Sequence, residues 1–146
     1  MIIFSWVKKM RTYYIFNVNR EMSILTKDSP YMLFKSFQSI YESDKSDLYM
    51  ASNLYEQLAS KFNKQLLNEK ISNHYKGNQH YMYTKDHHSY HNRYKNESCD
   101  ITIKNSYMIC TCNSSKMELL TKITGFNLFA CDFENKDYFW LDEIYC

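Results

Sequence analysis

The apolar residues of this chain follow a strand-like pattern near both ends and a helical pattern between them. Residues 12–18 are dense in aromatic and β-branched side chains, which is typical of a largely buried strand. From residue 101 onward, short apolar runs return and are separated by turn-like residues. Strands that flank helices in this way predict an α/β domain of the α+β type, with helices packed on one mixed sheet.

Two main helices are predicted between these strands. Ser29 followed by Pro30 has the form of an N-cap with proline at the first helical position, and helical spacing continues to about residue 41. A second helix is predicted over residues 48–66, because one apolar stripe runs through five turns. That stripe consists of Leu48, Ala51, Tyr55, Leu58, Phe62 and Leu66.

The remaining elements complete a sheet of about five strands and add one short helix. Strands are predicted at residues 101–103, 107–112, 128–133 and 138–141. Ser114 or Ser115 can cap the short helix, and Gly125 is placed to end it. Residues 71–96 keep no sustained period and are predicted to be mostly irregular, although residues 81–83 could form a short strand.

Length and composition are those of one globular domain. The chain has 146 residues, of which 45% are hydrophobic and 23% are charged. The apolar run at residues 1–7 is too short to span a bilayer, and Lys8 and Lys9 follow it where a signal peptide would have charges in front. We therefore expect a cytoplasmic chain with reduced thiols. Its five cysteines are Cys99, Cys110, Cys112, Cys131 and Cys146.

No set of residues points to catalysis. Two glycines cannot supply a phosphate-binding loop or a dinucleotide fingerprint, and no serine lies in a nucleophile elbow. His87 and His91 would share one face of a helix, as in zinc enzymes, but His88 stands where a zincin has glutamate. We therefore interpret the histidines as part of a solvated loop and expect no metal, cofactor or enzymatic activity. The histidines are His74, His80, His87, His88 and His91, with Cys99 beyond them.

An alternative function is binding of single-stranded nucleic acid, or of another ligand, by the basic, Tyr- and His-rich segment 70–95. Tyrosines interleaved with lysine and arginine could stack on bases and neutralise phosphates. The net charge of +2 is small for general nucleic-acid binding. The interleaved residues are Tyr75, Lys76, Tyr81, Tyr83, Lys85, Tyr90, Arg93, Tyr94 and Lys95.

Both ends of the chain resemble one known family. The segment LFACDFENKDYFWL at residues 128–141 is similar to the closing strand pair of SirA, the sporulation inhibitor of replication. The N-terminal part matches the same family without a gap, and Met10 falls where the family's initiator methionine lies. Residues 1–9 are therefore interpreted as an extension or a misassigned start before a single domain at 10–146. The N-terminal matches are Tyr13, Tyr14, Glu21, Phe34, Phe37 and Gln38.

The resemblance implies a function and a site. SirA is a cytoplasmic protein that binds the N-terminal domain of the initiator DnaA and prevents replication from starting at the origin during sporulation. The resemblance also implies that this chain is a monomer, that it forms a one-to-one complex with DnaA, and that it contacts neither DNA nor a membrane. The family's contact positions between the first strand and the first helix fall on Met22 and Thr26 here, and the candidate partner-binding residues are Glu21, Met22, Leu25 and Thr26. Packing of Met22 and Leu25 against the second helix is the structural alternative.

Overall fold

A computed structural model describes residues 10–43, 48–113, 119, 121 and 127–142, with the side chains of residues 48 and 49 excepted. Within this part the chain forms four helices and eight strands. In chain order the elements are β1 (Arg11–Val18), α1 (Arg20–Thr26), α2 (Pro30–Tyr41), α3 (Leu48–Leu58), β2 (Ala59–Ser60), α4 (Lys64–His74), β3 (Tyr81–Thr84), β4 (His87–Asn92), β5 (Glu97–Ile103), β6 (Met108–Cys112), β7 (Leu128–Asp132) and β8 (Asp137–Trp140).

All eight strands belong to one sheet in the order β3-β4-β5-β6-β1-β7-β8, with β2 paired to the end of β1. The α+β class is confirmed. The predicted count of five strands and three helices was too low, and the predicted mixed sheet was wrong, because every pairing in the described part of the chain is antiparallel. Most strands follow their neighbours through short turns, and such connections produce antiparallel pairs.

The sheet separates two hydrophobic cores. Alternate side chains of β1 enter different cores, with Ile15 on the face covered by α4 and Phe16 on the face covered by α2 and α3. The α4 face is filled from β5 and β6 as well, while the α2–α3 face is filled from β7 and β8. The larger buried members of the α2–α3 core are Phe16, Leu33, Phe34, Phe37, Leu58, Phe129, Phe133 and Trp140.

The single helix predicted over residues 48–66 was wrong. α3 ends at Leu58, β2 pairs with the end of β1, and α4 begins after Asn63, whose Oδ1 accepts from the amide of Leu66 at 3.2 Å. Leu58 lies in the α2–α3 core and Phe62 in the α4 core, so the chain crosses from one face of the sheet to the other between them. The apolar stripe is continuous in sequence, but Leu58 and Phe62 enter different cores, and Leu66 is 52% exposed.

The irregular segment predicted at residues 71–96 was also wrong in most of its length. α4 continues to His74, and β3 and β4 form a hairpin in which Tyr83 pairs with His88. The short strand predicted at residues 81–83 is confirmed as β3. The prediction that the histidines lie in a solvated loop was therefore wrong for His87, His88 and His91, which lie on the strand β4.

The other predicted elements agree with the structure where it describes them. β1, the start of α2 at Pro30, the β5–β6 pair and the β7–β8 pair all lie where the sequence placed them. The short helix predicted after Ser114 lies outside the described residues, apart from Leu119, which is fully buried in the α4 core, and Thr121. None of the described helices has the length and apolar character to cross a membrane.

Four cysteines are buried within the sheet, and we expect them to resist modification. The Sγ atoms of Cys99 and Cys110 lie 3.7 Å apart, and hydrogen bonding with Cys112 and Cys99, together with burial, raises the pKa of the Cys110 thiol. Burial also raises the pKa of Cys131. Because the thiolate is the reactive form, labelling in the native state should be slower than in denaturant on the order of 100-fold or more.

Mass spectrometry after timed exposure to a maleimide, followed by peptide mapping, checks this prediction site by site. Cys146, which lies outside the described residues, is scored separately. Rapid native labelling of Cys131 would contradict the burial of β7.

Candidate protein-binding surface

The residues implied as contacts lie on α1, an element that the sequence did not predict. The helix starts after Asn19, whose carbonyl oxygen accepts from the amide of Ser23 at 2.8 Å. The side chain of Asn19 does not cap the helix. Its amide nitrogen instead donates to the carbonyl oxygens of Glu56 and Gln57, at 3.2 and 3.0 Å, and its Oδ1 accepts from Ser60. Asn19, at the start of α1, is thereby hydrogen-bonded to the end of α3 and to β2.

The four candidate contact residues divide between the surface and the core. Leu25 is 75% exposed, and Glu21 is exposed as well. Met22 is partly buried and packs against the α2–α3 core. Thr26 is also partly buried, and its hydroxyl donates to the carbonyl oxygen of Met22 at 2.7 Å. The packing alternative therefore describes Met22 but not Leu25.

Three further exposed apolar residues on α1 and α2 were not singled out from the sequence. Ile24 on α1 and Tyr31 and Met32 on α2 are each more than half exposed. Together with Leu25 we call these exposed residues the α1–α2 patch. The helices α1 and α2 contact each other, and exposed apolar residues on neighbouring helices are candidates for an interaction site. Tyr31 and Met32 interrupt the helical stripe of α2, and that interruption was the available sequence signal.

Exposed charged side chains of both signs lie on the same two helices and in the turn between them. Arg20 and Glu21 begin α1, Lys27 and Asp28 follow its end, and Lys35 lies on α2. An apolar centre with polar surroundings is the usual arrangement of a protein-binding surface, in which the rim gives specificity and the centre gives affinity. These exposed residues are Arg20, Glu21, Lys27, Asp28 and Lys35.

The Tyr-rich segment offers few rings for stacking on bases. Tyr75 and Tyr90 are buried in the α4 core, and Tyr81 packs against that core with its ring stacked on Tyr75 at 5.1 Å. Tyr83 is partly exposed but lies parallel to the imidazole of His88 at 4.5 Å. Tyr94, in the turn between β4 and β5, is 94% exposed.

His88 is a buried structural residue. Asn68 donates its amide to Asp86 at 2.9 Å, so its Oδ1 accepts from Nε2 of His88 at 2.8 Å. Nδ1 of the neutral ring then accepts from the hydroxyl of Tyr81 at 2.6 Å. Burial lowers the pKa of His88 to about 4. Asp86, which accepts from Asn68, also forms an ion pair with Lys64, whose Nζ lies 3.0 Å from its Oδ2.

His87 and His91 lie on the opposite face of β4 and converge on Asp100. Nε2 of each ring is 3.2 Å from a carboxylate oxygen, and Ser89 donates to the same carboxylate at 2.6 Å. Nε2 of His87 also contacts Ser89 at 3.1 Å, so serine and aspartate share one ring nitrogen. The Nδ1 atom of each ring meets another hydroxyl, that of Thr102 for His87 and that of Ser98 for His91, at 2.9 Å in both cases. Among the described residues, no group of three or more histidine, cysteine or acidic side chains is placed to hold a metal ion.

Comparison with known proteins adds no family to these observations. No family model matches the chain, and no curated protein has significant sequence similarity to it.

Proposed function

We propose that this protein is an inhibitor of replication initiation in sporulating cells. It acts in the cytoplasm, without catalysis, by binding the N-terminal domain of DnaA one-to-one and blocking its action at the origin. The observation that carries the proposal is the 75% exposure of Leu25 on α1, between Met22 and Thr26, the two positions that the SirA resemblance implies for DnaA contact.

The patch has suitable chemistry for a protein contact. Burying an exposed leucine, isoleucine or methionine side chain contributes about 1.5–3 kcal/mol each. Tyrosine adds a large ring and a hydroxyl that can meet a polar group, which is why aromatic residues are enriched at interfaces. A contact of standard size needs about 800 Å² on each partner, so the patch would be its centre and the charged residues of α1, of α2 and of the turn between them its rim.

The patch also rests on a rigid support. Phe34 and Phe37 of α2 are buried, and Phe37 stacks on Phe16 of β1 with ring centroids 4.0 Å apart. Met22 packs α1 against the same core. A surface that is already ordered loses less conformational entropy when a partner binds, which favours affinity.

The residues that carry the resemblance mainly support a shared fold. Tyr13 lies in β1, Phe34 and Phe37 lie in α2, and the similar C-terminal segment covers β7 and β8. Most of these side chains are buried and therefore do not touch a partner. The interface itself depends on the α1–α2 patch, and a mutation there is the decisive test.

We predict that Leu25→Asp weakens binding to the DnaA N-terminal domain by about 30-fold or more, which corresponds to 2 kcal/mol for a central apolar anchor. The matched control is Met50→Asp on α3, because Met50 is 72% exposed and lies outside the patch. Calorimetric titration of the full chain checks both variants, after circular dichroism has shown that each is folded.

The two variants separate the possible results. Loss of affinity in Leu25→Asp alone supports the proposed interface. Equal effects of both substitutions would remove the α1–α2 patch from the interface, and absence of saturable binding by the unaltered chain at ~100 μM would refute DnaA as the partner.

A second candidate function is single-stranded nucleic-acid binding, favoured by one observation. Tyr94 is 94% exposed and stands between Arg93 and Lys95, so one ring and two cations are available at the β4–β5 turn. Stacking on one ring is worth about 1–3 kcal/mol. A labelled oligonucleotide whose affinity falls with rising salt and with Tyr94→Ala would support this function, and unchanged affinity in Tyr94→Ala would dismiss it.

A further inference from the structure

The two edge strands of the sheet differ in exposure. Within the described part of the chain, β3 and β8 are the end strands of the order. No residue of β8 is exposed, and its first residue, Asp137, forms an ion pair with Arg11 at 3.2 Å. In β3, by contrast, Met82, Tyr83 and Thr84 are exposed. β3 is therefore the open edge of the sheet.

β3 lacks the features that usually protect an edge. An open edge presents unpaired backbone groups to which another strand can add, and proteins often block it with a charged residue, a proline or a bulge. β3 has the sequence YMYT, without charge or proline, and its four residues pair with β4 in one unbroken register. A strand of this length offers few hydrogen bonds, so a strand that adds there should bind weakly.

The backbone of Tyr83 faces this open edge. The amide of His91 donates to the carbonyl oxygen of His80 at 3.0 Å, in the same register as the β3–β4 pairs. Hydrogen-bonded and non-bonded pairs alternate in an antiparallel ladder, so the backbone groups of Tyr81 and Tyr83 point away from β4. The amide of Tyr81 donates to the carbonyl oxygen of Asn78 at 3.3 Å. The amide and the carbonyl group of Tyr83 are therefore the groups best placed to receive another strand.

We propose that β3 pairs with β3 of a second copy of this chain, antiparallel and around a two-fold axis at Tyr83. In this register the amide of each Tyr83 donates to the carbonyl oxygen of the other. The two Tyr83 rings lie opposite each other on the α4 face, and opposed aromatic side chains stabilise an antiparallel pair. On the other face, Met82 of each copy lies beside Thr84 of the other.

The edge is suited to a second copy of itself. Because β3 has no charged side chain, its self-pairing opposes no like charges within the strand. Lys85 follows in the turn, and the two copies of this lysine are about 13 Å apart along the strand direction, beyond the screening length of about 10 Å at 0.1 M salt. A two-fold pairing also covers both open edges at once, so assembly ends at the dimer.

The pairing leaves the α1–α2 patch free. Tyr31 of the patch lies beside Tyr138 of β8, with ring centroids 6.4 Å apart, and five strands separate β8 from β3. At a strand spacing of about 4.8 Å, the two edges are ~29 Å apart. The dimer does not depend on the proposed function, and it departs from the monomer that the SirA resemblance implies. If the proposed function holds as well, the dimer presents two patches and binds two DnaA domains.

Sedimentation velocity of the full chain, from about 10 μM to about 1 mM, tests the pairing. We expect the weight-average mass to rise from that of one chain towards that of two. The dissociation constant should be on the order of 100 μM, because the contact is smaller than the ~800 Å² per partner of a standard interface. A mass that stays at one chain throughout, or that grows beyond two chains, overturns the proposal.

Met82→Lys places a cation in the pairing strand, which is how many natural edges are blocked. The two new lysines would lie about 7 Å apart along the strand direction, so their repulsion should weaken the dimer by about tenfold or more. The matched control is Met50→Lys on α3, because Met50 is 72% exposed and Met82 is 71% exposed. The control should dimerise as the unaltered chain does. Equal dissociation constants for Met82→Lys and the unaltered chain overturn β3 as the contact.

Tyr83→Pro tests the backbone pairing itself. It removes an amide that β4 does not use, so the β3–β4 hairpin keeps its hydrogen bonds, and proline is tolerated at such an edge position. The dimer should weaken by about tenfold or more, whereas Tyr83→Ala, which loses the ring but keeps the amide, should weaken it only about threefold. An unchanged dimer in Tyr83→Pro, after circular dichroism has shown that the variant is folded, overturns the strand pairing.

Discussion

Replacing Phe37 by alanine should lower the free energy of unfolding by about 3–5 kcal/mol. Phe37 is fully buried, and its ring lies within 9° of parallel to that of Phe16 at a centroid distance of 4.0 Å, with Phe129 at 6.2 Å. Removing the ring leaves a cavity between α2 and the sheet and ends these aromatic contacts. Urea unfolding followed by circular dichroism gives the free energy of both proteins.

The matched control for this substitution is Met32→Ala on the same helix. Met32 is exposed, so its truncation should change the free energy of unfolding by no more than about 0.5 kcal/mol. Similar small losses in both variants would show that α2 does not pack on β1 as described.

Stability should decrease by about 3 kcal/mol as the pH falls from 6.5 to 4, because of His88. In the folded chain burial lowers the pKa of His88 to about 4, whereas an unfolded histidine titrates near 6.5. Between these values the unfolded chain binds a proton that the folded chain does not, so acid favours unfolding by about 1.4 kcal/mol for each pH unit. Above pH 6.5 this contribution is complete, and below pH 4 it changes no further.

Urea unfolding at a series of pH values checks this prediction in the unaltered chain and in His88→Gln. The variant should be less stable at pH 7 but should lose less stability towards pH 4, because it lacks the depressed titration. His87→Gln, which alters an exposed histidine on the other face of β4, should keep the steep dependence. A curve of equal slope in the unaltered chain and in His88→Gln would contradict a neutral, buried His88.

The elements that the sequence predicted well have apolar inward positions. β1, α2 and β7 bury mostly aromatic and aliphatic residues, so the apolar runs of the two strands and the helical period of α2 are visible in the sequence. β4 was missed because its three inward side chains are His88, Tyr90 and Asn92, two of which are polar. Their burial depends on partners from other elements, such as Asn68 of α4, and a local pattern does not reveal such partners.

The candidate surface was predictable only in part for a related reason. An apolar pattern shows which residues can be buried, but the number of elements available to cover them decides which stay exposed. Met22 and Leu25 are both apolar, and only the packing of α1 on the α2–α3 core separates them into a buried and an exposed residue. Ile24 and Met32 are left exposed by the same arrangement of α1 and α2.

Asn19 connects the start of α1 to the end of α3. Its side chain joins the last turn of α3 and Ser60 of β2, while its carbonyl oxygen receives the first amide bond within α1. A partner that binds Leu25 therefore contacts a helix that is hydrogen-bonded, through Asn19, to the segment between Leu58 and Phe62, where the chain crosses from one core to the other. The angle at which the surface is presented is set six residues away, by amide contacts that lie outside it.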